Sequence, residues 1–102
     1  MALKVLWSFT AWNDLESIHT FIAKDSKFYA TSFVQQAKEA SNSLEFFSKR
    51  GRVVPEFGKS SIREIFLMNY RMIYRVSKGS VEIISLVHGS RDLWSLWSRE
   101  AR

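Results

Sequence analysis

The apolar residues of this chain change their period once, near Gly51, and that switch limits the possible folds more than any other feature. Before it, Tyr29, Phe33, Ala37, Ala40, Leu44 and Phe47 recur at intervals of 4, 4, 3, 4 and 3, the spacing that lines one face of an α-helix. After it, Ile62 to Leu67, Tyr70 to Val76 and Val81 to Val87 are rich in β-branched and aromatic residues, which suit a pleated, half-buried strand. Met68-Asn69 and Ser77-Lys78-Gly79-Ser80 separate these runs and are short enough for antiparallel hairpins. A helix followed by a three-stranded meander is therefore expected.

The N-terminal third adds two elements. Leu3 to Trp7, broken only by Lys4, reads as a strand, and Ser8-Phe9-Thr10 supplies helix caps behind it. Trp12, Leu15, Ile18 and Ile22 then repeat at helical spacing, with Asn13, Asp14 and Glu16 near the helix start, where acid is favoured. Asp25-Ser26 interrupts the pattern and caps the second helix, and so short a connection predicts an antiparallel helical hairpin. Ser48-Lys49-Arg50-Gly51 ends the second helix, with Gly51 free to turn left-handed, and Pro55 makes Arg52 to Ser60 a loop or an edge strand. Leu93-Trp94 and Leu96-Trp97 suggest a short C-terminal helix. The expectation is one α+β domain over residues 1–102: an N-terminal strand and a two-helix hairpin on a mostly antiparallel four-stranded sheet, with that short helix at the end.

Of the 102 residues 46% are apolar, enough for a core, and the formal charge of +5 favours an acidic partner such as nucleic acid or an acidic protein. The absence of cysteine removes disulfides and thiolate metal sites and suits a reducing cytosol. No stretch approaches the roughly 18 apolar residues of a membrane span, so a cytoplasmic protein that does not engage a membrane is expected. With His19 and His88 far apart and no clustered carboxylates, no metal and no cofactor are expected.

Cleaving RNA through its 2′-hydroxyl needs a base, an acid and cations over the phosphate. Arg63, Arg71 and Arg75 fall on the meander, Arg52 and Lys59 flank its start, and Arg91 follows the last strand. They can cradle a phosphate only if the strand register turns them to one face; otherwise they form a solvated basic surface for an acidic partner. His88, at a strand end, has the imidazole suited to proton transfer, although a lone histidine more often serves structure, as His19 is expected to do. Glu64 beside Arg63 and Glu56 near Arg52 read as surface ion pairs, which contribute about 0 to 1 kcal/mol. Tyr70 and Tyr74 are expected in the core before any base-stacking role, and among the tryptophans Trp94 and Trp97 are the pair expected to meet a partner.

Five strings occur in order along the chain: Trp7-Ser8 with Ala11 and Asp14-Leu15-x-x-Ile18; Gly51-Arg52-Val53-Val54-Pro55-Glu56; Ile62-Arg63-Glu64; Tyr70-Arg71-Met72-Ile73-Tyr74; and Val87-His88-Gly89-x-Arg91. Together they resemble the RelE/ParE toxin family. The resemblance implies a helical hairpin on a four-stranded sheet, an antitoxin bound in a hetero-oligomer, and growth arrest when the toxin is free. RelE-like and YoeB-like members cleave mRNA on the ribosome, whereas ParE-like members poison DNA gyrase. His88, Glu56 and Arg71 are similar in position to the histidine, glutamate and strand arginine of the YoeB-like nucleases. With Arg63 they form the catalytic set if the chain is a nuclease. Gly89, however, stands where those nucleases carry tyrosine, and Ser48 to Ser60 is poor in the lysines of RelE-like nucleases. His88-Gly89-Ser90-Arg91 resembles the ParE-like ending instead. The first reading is thus a ParE-like plasmid-stabilising toxin that inhibits gyrase and is neutralised by an antitoxin. The alternative is a ribosome-dependent mRNA endoribonuclease, and a third reading is an inactive scaffold that only binds antitoxin. The residues expected to meet partner or nucleic acid are Arg52, Arg63, Arg71, Arg75, Arg91, Trp94 and Trp97. The antitoxin's C-terminal segment is expected in the helical-hairpin groove, with its acids on the arginines.

Overall fold

The computed structural model describes residues 2–90. The expected C-terminal helix, with Arg91, Trp94 and Trp97, lies outside the described residues. The elements are β1 (Lys4–Trp7), α1 (Phe9–Ala23), α2 (Lys27–Ser43), β2 (Arg52–Val53), β3 (Ile62–Leu67), β4 (Tyr70–Ser77) and β5 (Ser80–His88). They form one sheet in the order β1-β5-β4-β3-β2. β1 runs parallel to β5 at one edge, and every other neighbouring pair is antiparallel. The fold is α+β as expected, with five strands rather than four. The additional strand is β2, where Arg52 and Val53 pair with Glu64 and Arg63 just ahead of the proline that ends the pairing.

Both helices begin where a serine can accept an orphan amide: Ser8 from Ala11 at 3.0 Å and Ser26 from Tyr29 at 3.1 Å. α2 buries Ala30, Phe33, Ala37, Ala40 and Ser41, and Leu44 follows as its cap. The buried stripe is therefore narrower than the apolar periodicity suggested. Tyr29 and Phe47, at the ends of the repeat, are exposed, and so is Trp12 on α1. The helix itself stops at Ser43, and tight turns carry the chain onward.

Alternation along the strands assigns two faces. Ile65, Leu67, Met72, Tyr74, Val81, Ile83 and Leu86 pack against the helices and form the main core. Val54, Ile62 and Ile73 form a smaller cluster, joined by Phe57 and Val87, where the β2–β3 loop folds over part of the opposite face. That opposite face, otherwise uncovered by the helices, is here called the open face.

One irregularity fixes how α1 lies on the sheet. Ile73 pairs with Ser85 but Tyr74 pairs with Ile83, leaving Ile84 as an extra residue on β5. Ser8 Oγ donates to the Ile84 carbonyl at 2.8 Å, and the Asp14 carboxylate accepts from the Leu86 amide at 3.0 Å. The cap residue and an acid in the second turn of α1 thus take up main-chain groups beside the bulge.

Gly51 does not take the left-handed conformation expected of a helix-terminating glycine; among the glycines only Gly58 and Gly79 have positive φ. Its value is closeness. A Cβ there would fall 2.5 Å from the Glu64 carbonyl oxygen and 2.7 Å from the Tyr74 hydroxyl. The buried Tyr74 hydroxyl accepts from the Gly51 amide at 2.9 Å and donates to the Ser48 carbonyl at 2.8 Å, which clamps the chain leaving α2 onto β4. Burial raises the Tyr74 pKa above the ordinary phenol value, so the hydroxyl stays a donor.

Candidate functional site on the open sheet face

Arg71 is the centre of the open face. Its pairing partner on β3 is Phe66, and Glu64 lies two residues away on the same side of that strand. Arg71 Nε donates to Glu64 Oε1 at 2.6 Å, while Nη1 and Nη2 donate to the two oxygens of Glu56 at 2.9 and 2.8 Å. The second oxygen of Glu64 accepts from Arg52 Nε at 2.6 Å. The Arg52 guanidinium in turn lies 5.0 Å from the centre of the Phe66 ring. The result is a chain of alternating charge, Glu56–Arg71–Glu64–Arg52, whose inner pair is almost fully buried and whose ends are 28% and 56% exposed.

The electrostatics follow from these bonds. The bidentate hydrogen bond from Arg71 holds the Glu56 carboxyl below its usual range, against an opposing contribution from burial. The same bond, reinforced by Glu64, pushes the Arg71 pKa up, so its guanidinium stays charged. A guanidinium that already serves two carboxylates at its Nε and both terminal nitrogens has its charge matched within the chain, so a phosphate arriving there meets the negative charge of Glu56 and Glu64 unless Glu56 lets go.

The pairings differ from the sequence expectation. Glu64 does not pair with Arg63, nor Glu56 with Arg52; consecutive strand residues point to opposite faces, so Arg63 and Glu64 cannot meet. Arg63 pairs across β4 with Tyr74 and so belongs to the helix-facing side, where it donates to the carbonyls of Ser60 and Gly51, each at 2.9 Å. Arg75 shares the open face with Arg71 but is engaged by Glu82 at 2.9 Å near the surface. His88 pairs with Tyr70 at the far end of β4. The two rings meet edge to face at 5.5 Å, and Nδ1 lies 2.8 Å from the Ser90 hydroxyl. Tyr70 packs on Phe33 of α2, so His88 stands on the helix-facing side, across the sheet from Arg71.

Of the four residues named for nuclease chemistry, the fold brings Glu56 and Arg71 together. Arg63 and His88 lie on the other face, four positions apart along β4, roughly 13 Å at the usual rise. Glu64 was undervalued by sequence reasoning: parity along β3 separates it from Arg63, but only the β3–β4 register brings it to Arg71. His19 lies exposed on α1. Among the described residues no group of three or more His, Cys, Asp or Glu is placed to hold a metal ion, and no helix is long and apolar enough to cross a membrane.

Comparison with known proteins agrees with this architecture. A family model described as the ParE toxin of the type II toxin-antitoxin system parDE matches residues 5–93. Toxin RelE2 of Caulobacter vibrioides is 29% identical over 89 residues, covering 86% of this chain and 97% of the relative. The solved structure of the chromosomal ParDE TA system from P. aeruginosa superposes with a TM-score of 0.68 at 19% identity, over 85% of this chain and 96% of the other. At that identity the likeness speaks for the fold alone.

Proposed function

This chain belongs to the ParE toxin family of type II toxin-antitoxin systems, and from that premise we propose that it arrests growth by inhibiting DNA gyrase, acting by contact rather than by hydrolysis. The observation that supports this most is the division of the nuclease candidates. Arg71 is held by Glu56 and Glu64 on the open face, while His88 and Arg63 stand behind the sheet. A general acid or base must come within hydrogen-bond reach of the atom it serves while a cation covers the same phosphate. Residues on opposite faces cannot do both. A ParE-like toxin needs no such convergence. It works in the cytoplasm, where gyrase is, and an acidic antitoxin neutralises it in a hetero-oligomer, consistent with the chain's net charge of +5.

Inducing the protein without its partner, and following replication and translation separately within minutes, tests this. Filamentation, trapped gyrase cleavage complexes and intact mRNA are expected. Prompt loss of translation with cut mRNAs, relieved by His88→Ala, would replace the gyrase reading with the ribosome-dependent nuclease, and undisturbed growth would leave only a scaffold. Copurification of a small acidic protein encoded beside the gene checks the antitoxin.

A further inference from the structure

The described arginines divide into those with a carboxylate partner and those without. Arg52, Arg71 and Arg75 are paired with Glu64, Glu56 and Glu82, with Glu64 shared between the first two. Arg50 and Arg63 meet only neutral acceptors. Arg50 donates to the Ser43 hydroxyl at 2.7 Å, and Arg63 spends its Nε and Nη1 on the carbonyls of Ser60 and Gly51. Such bonds orient a guanidinium without cancelling its charge. Because Arg63 bonds to the residue that follows Arg50, the two cations stand together, and the charge of each works against the burial that raises the Tyr74 pKa. Lys49 joins them, exposed and with no carboxylate in ion-pair reach among the described residues.

Beside these cations stand two aromatic rings that the core does not use. Phe46 and Phe47 are 69% and 67% exposed, and with Ser48, Lys49 and Arg50 they line a cavity of about 490 Å³. The segment is held at both ends: the Glu45 carbonyl accepts from Leu3 at 2.9 Å, and the Tyr74 hydroxyl takes Ser48 and Gly51. Between them the chain runs in turns, with the amides of Phe46 and Phe47 bonded to Ser43 and that of Arg50 to Phe47. It therefore offers no extended edge for a peptide to pair with. A helix dipole favours cations near the end of α2, which would account for Lys49 and Arg50. It accounts neither for two phenylalanines in solvent nor for Arg63, which comes from β3. Open ring faces beside uncompensated cations suit an unpaired nucleic-acid strand, whose bases stack on the rings while its phosphates meet the charges. In a duplex the base faces are hidden by stacking, so the strand must be single.

We propose that the ledge formed by Phe46, Phe47, Lys49, Arg50 and Arg63 binds single-stranded nucleic acid, with bases on the two rings and phosphates on the three cations. The ledge is separate from the Arg71 network, and the inference stands whether the target is gyrase or the ribosome.

Fluorescence polarisation of a short fluorescein-labelled oligothymidylate, titrated with the full chain freed of any partner, tests it. Affinity should fall with salt at a log–log slope of about −2, from three phosphates at about −0.7 each. Phe47→Ala, at an exposed position, should weaken binding about tenfold and leave the slope unchanged. Lys49→Gln should reduce the slope by about 0.7. Lys24→Gln, exposed near the opposite end of α2, should do neither. Circular dichroism checks that each variant is folded. Equal affinity for a duplex of the same length, or wild-type binding by Phe47→Ala, would mean attraction by net charge alone and would overturn the ledge. So would the absence of binding at low salt. If the oligonucleotide does not bind and a Phe46→Ala, Phe47→Ala double variant loses its acidic partner, this surface is a protein interface instead.

Discussion

Glu56 holds Arg71 by both carboxylate oxygens, at 2.9 and 2.8 Å, and so fastens the loop between β2 and β3 to the open face of the sheet. The grip is possible because Arg71 also rests on Glu64, which is wholly buried and shared with Arg52. Acid and base alternate along the network, so no buried charge lacks a counter-charge.

Removing its centre should be severe. Arg71→Leu would leave the Glu64 carboxylate buried with its remaining partner, Arg52, half exposed, and is expected to destabilise the fold by about 3 to 5 kcal/mol. Urea unfolding followed by tryptophan fluorescence measures this. A loss within about 0.5 kcal/mol would mean the network does not hold the open face together. Because of this effect, loss of toxicity in an Arg71 variant carries meaning only beside a measured stability.

Acid should act through Glu56. Its folded pKa is depressed, so its contribution is present at neutral pH and above its unfolded value, and is lost as pH falls through the lower folded value. Stability is therefore expected to fall with acid below about pH 4.5. In Glu56→Gln, that part of the pH dependence should be absent. Unfolding curves of the two proteins between pH 7 and pH 3 should converge at the acid end, and parallel curves would exclude the effect.

Gly51→Ala puts a methyl group 2.5 Å from the Glu64 carbonyl oxygen and 2.7 Å from the Tyr74 hydroxyl. Backbone on one side and a phenol held by two hydrogen bonds on the other leave little room to yield, and a cost of about 2 to 3 kcal/mol is expected. Tyr74→Phe removes the hydroxyl that serves Gly51 and Ser48 and should cost about 1 to 3 kcal/mol. Thermal unfolding of both variants would show whether the clamp matters; wild-type melting for each would mean it does not.

Asp14→Ala withdraws the carboxylate that accepts the Leu86 amide beside the β5 bulge. The expected cost is about 1 to 3 kcal/mol, with faster hydrogen exchange at the Leu86 amide before any global change. Unaltered exchange at Leu86 would show that water replaces the carboxylate without penalty.

His88→Ala should change neither stability nor toxicity appreciably, since the imidazole is exposed and its contacts are to Tyr70 and Ser90. A plate assay of growth after induction reads this directly. Survival of cells expressing a folded His88→Ala protein would count for RNA cleavage.

Most of the fold was legible because it is written in local periods. Ser8 and Ser26 announced the two helices, the intervals from Phe33 to Leu44 gave the second its buried stripe, and the meander followed from three β-rich runs with short turns. These signals need only neighbouring residues. Tyr29, Phe47 and Trp12 were misjudged because apolarity marks what can be buried, not what is; Ala30 and Ser41, less conspicuous, take interior positions.

The sequence by itself thus determined the α+β class, the order of the elements and the residues available for chemistry, Arg71 and Glu56 among them. Which of those residues meet was decided only in three dimensions. Strand register and the bulge at Ile84 put Arg71 and Glu64 on one face and Arg63 and His88 on the other, and the loop beyond Pro55 delivered Glu56 to Arg71 rather than to Arg52. Register is a non-local property: it depends on how whole strands align across the sheet, and a shift of one residue exchanges every side chain between the two faces.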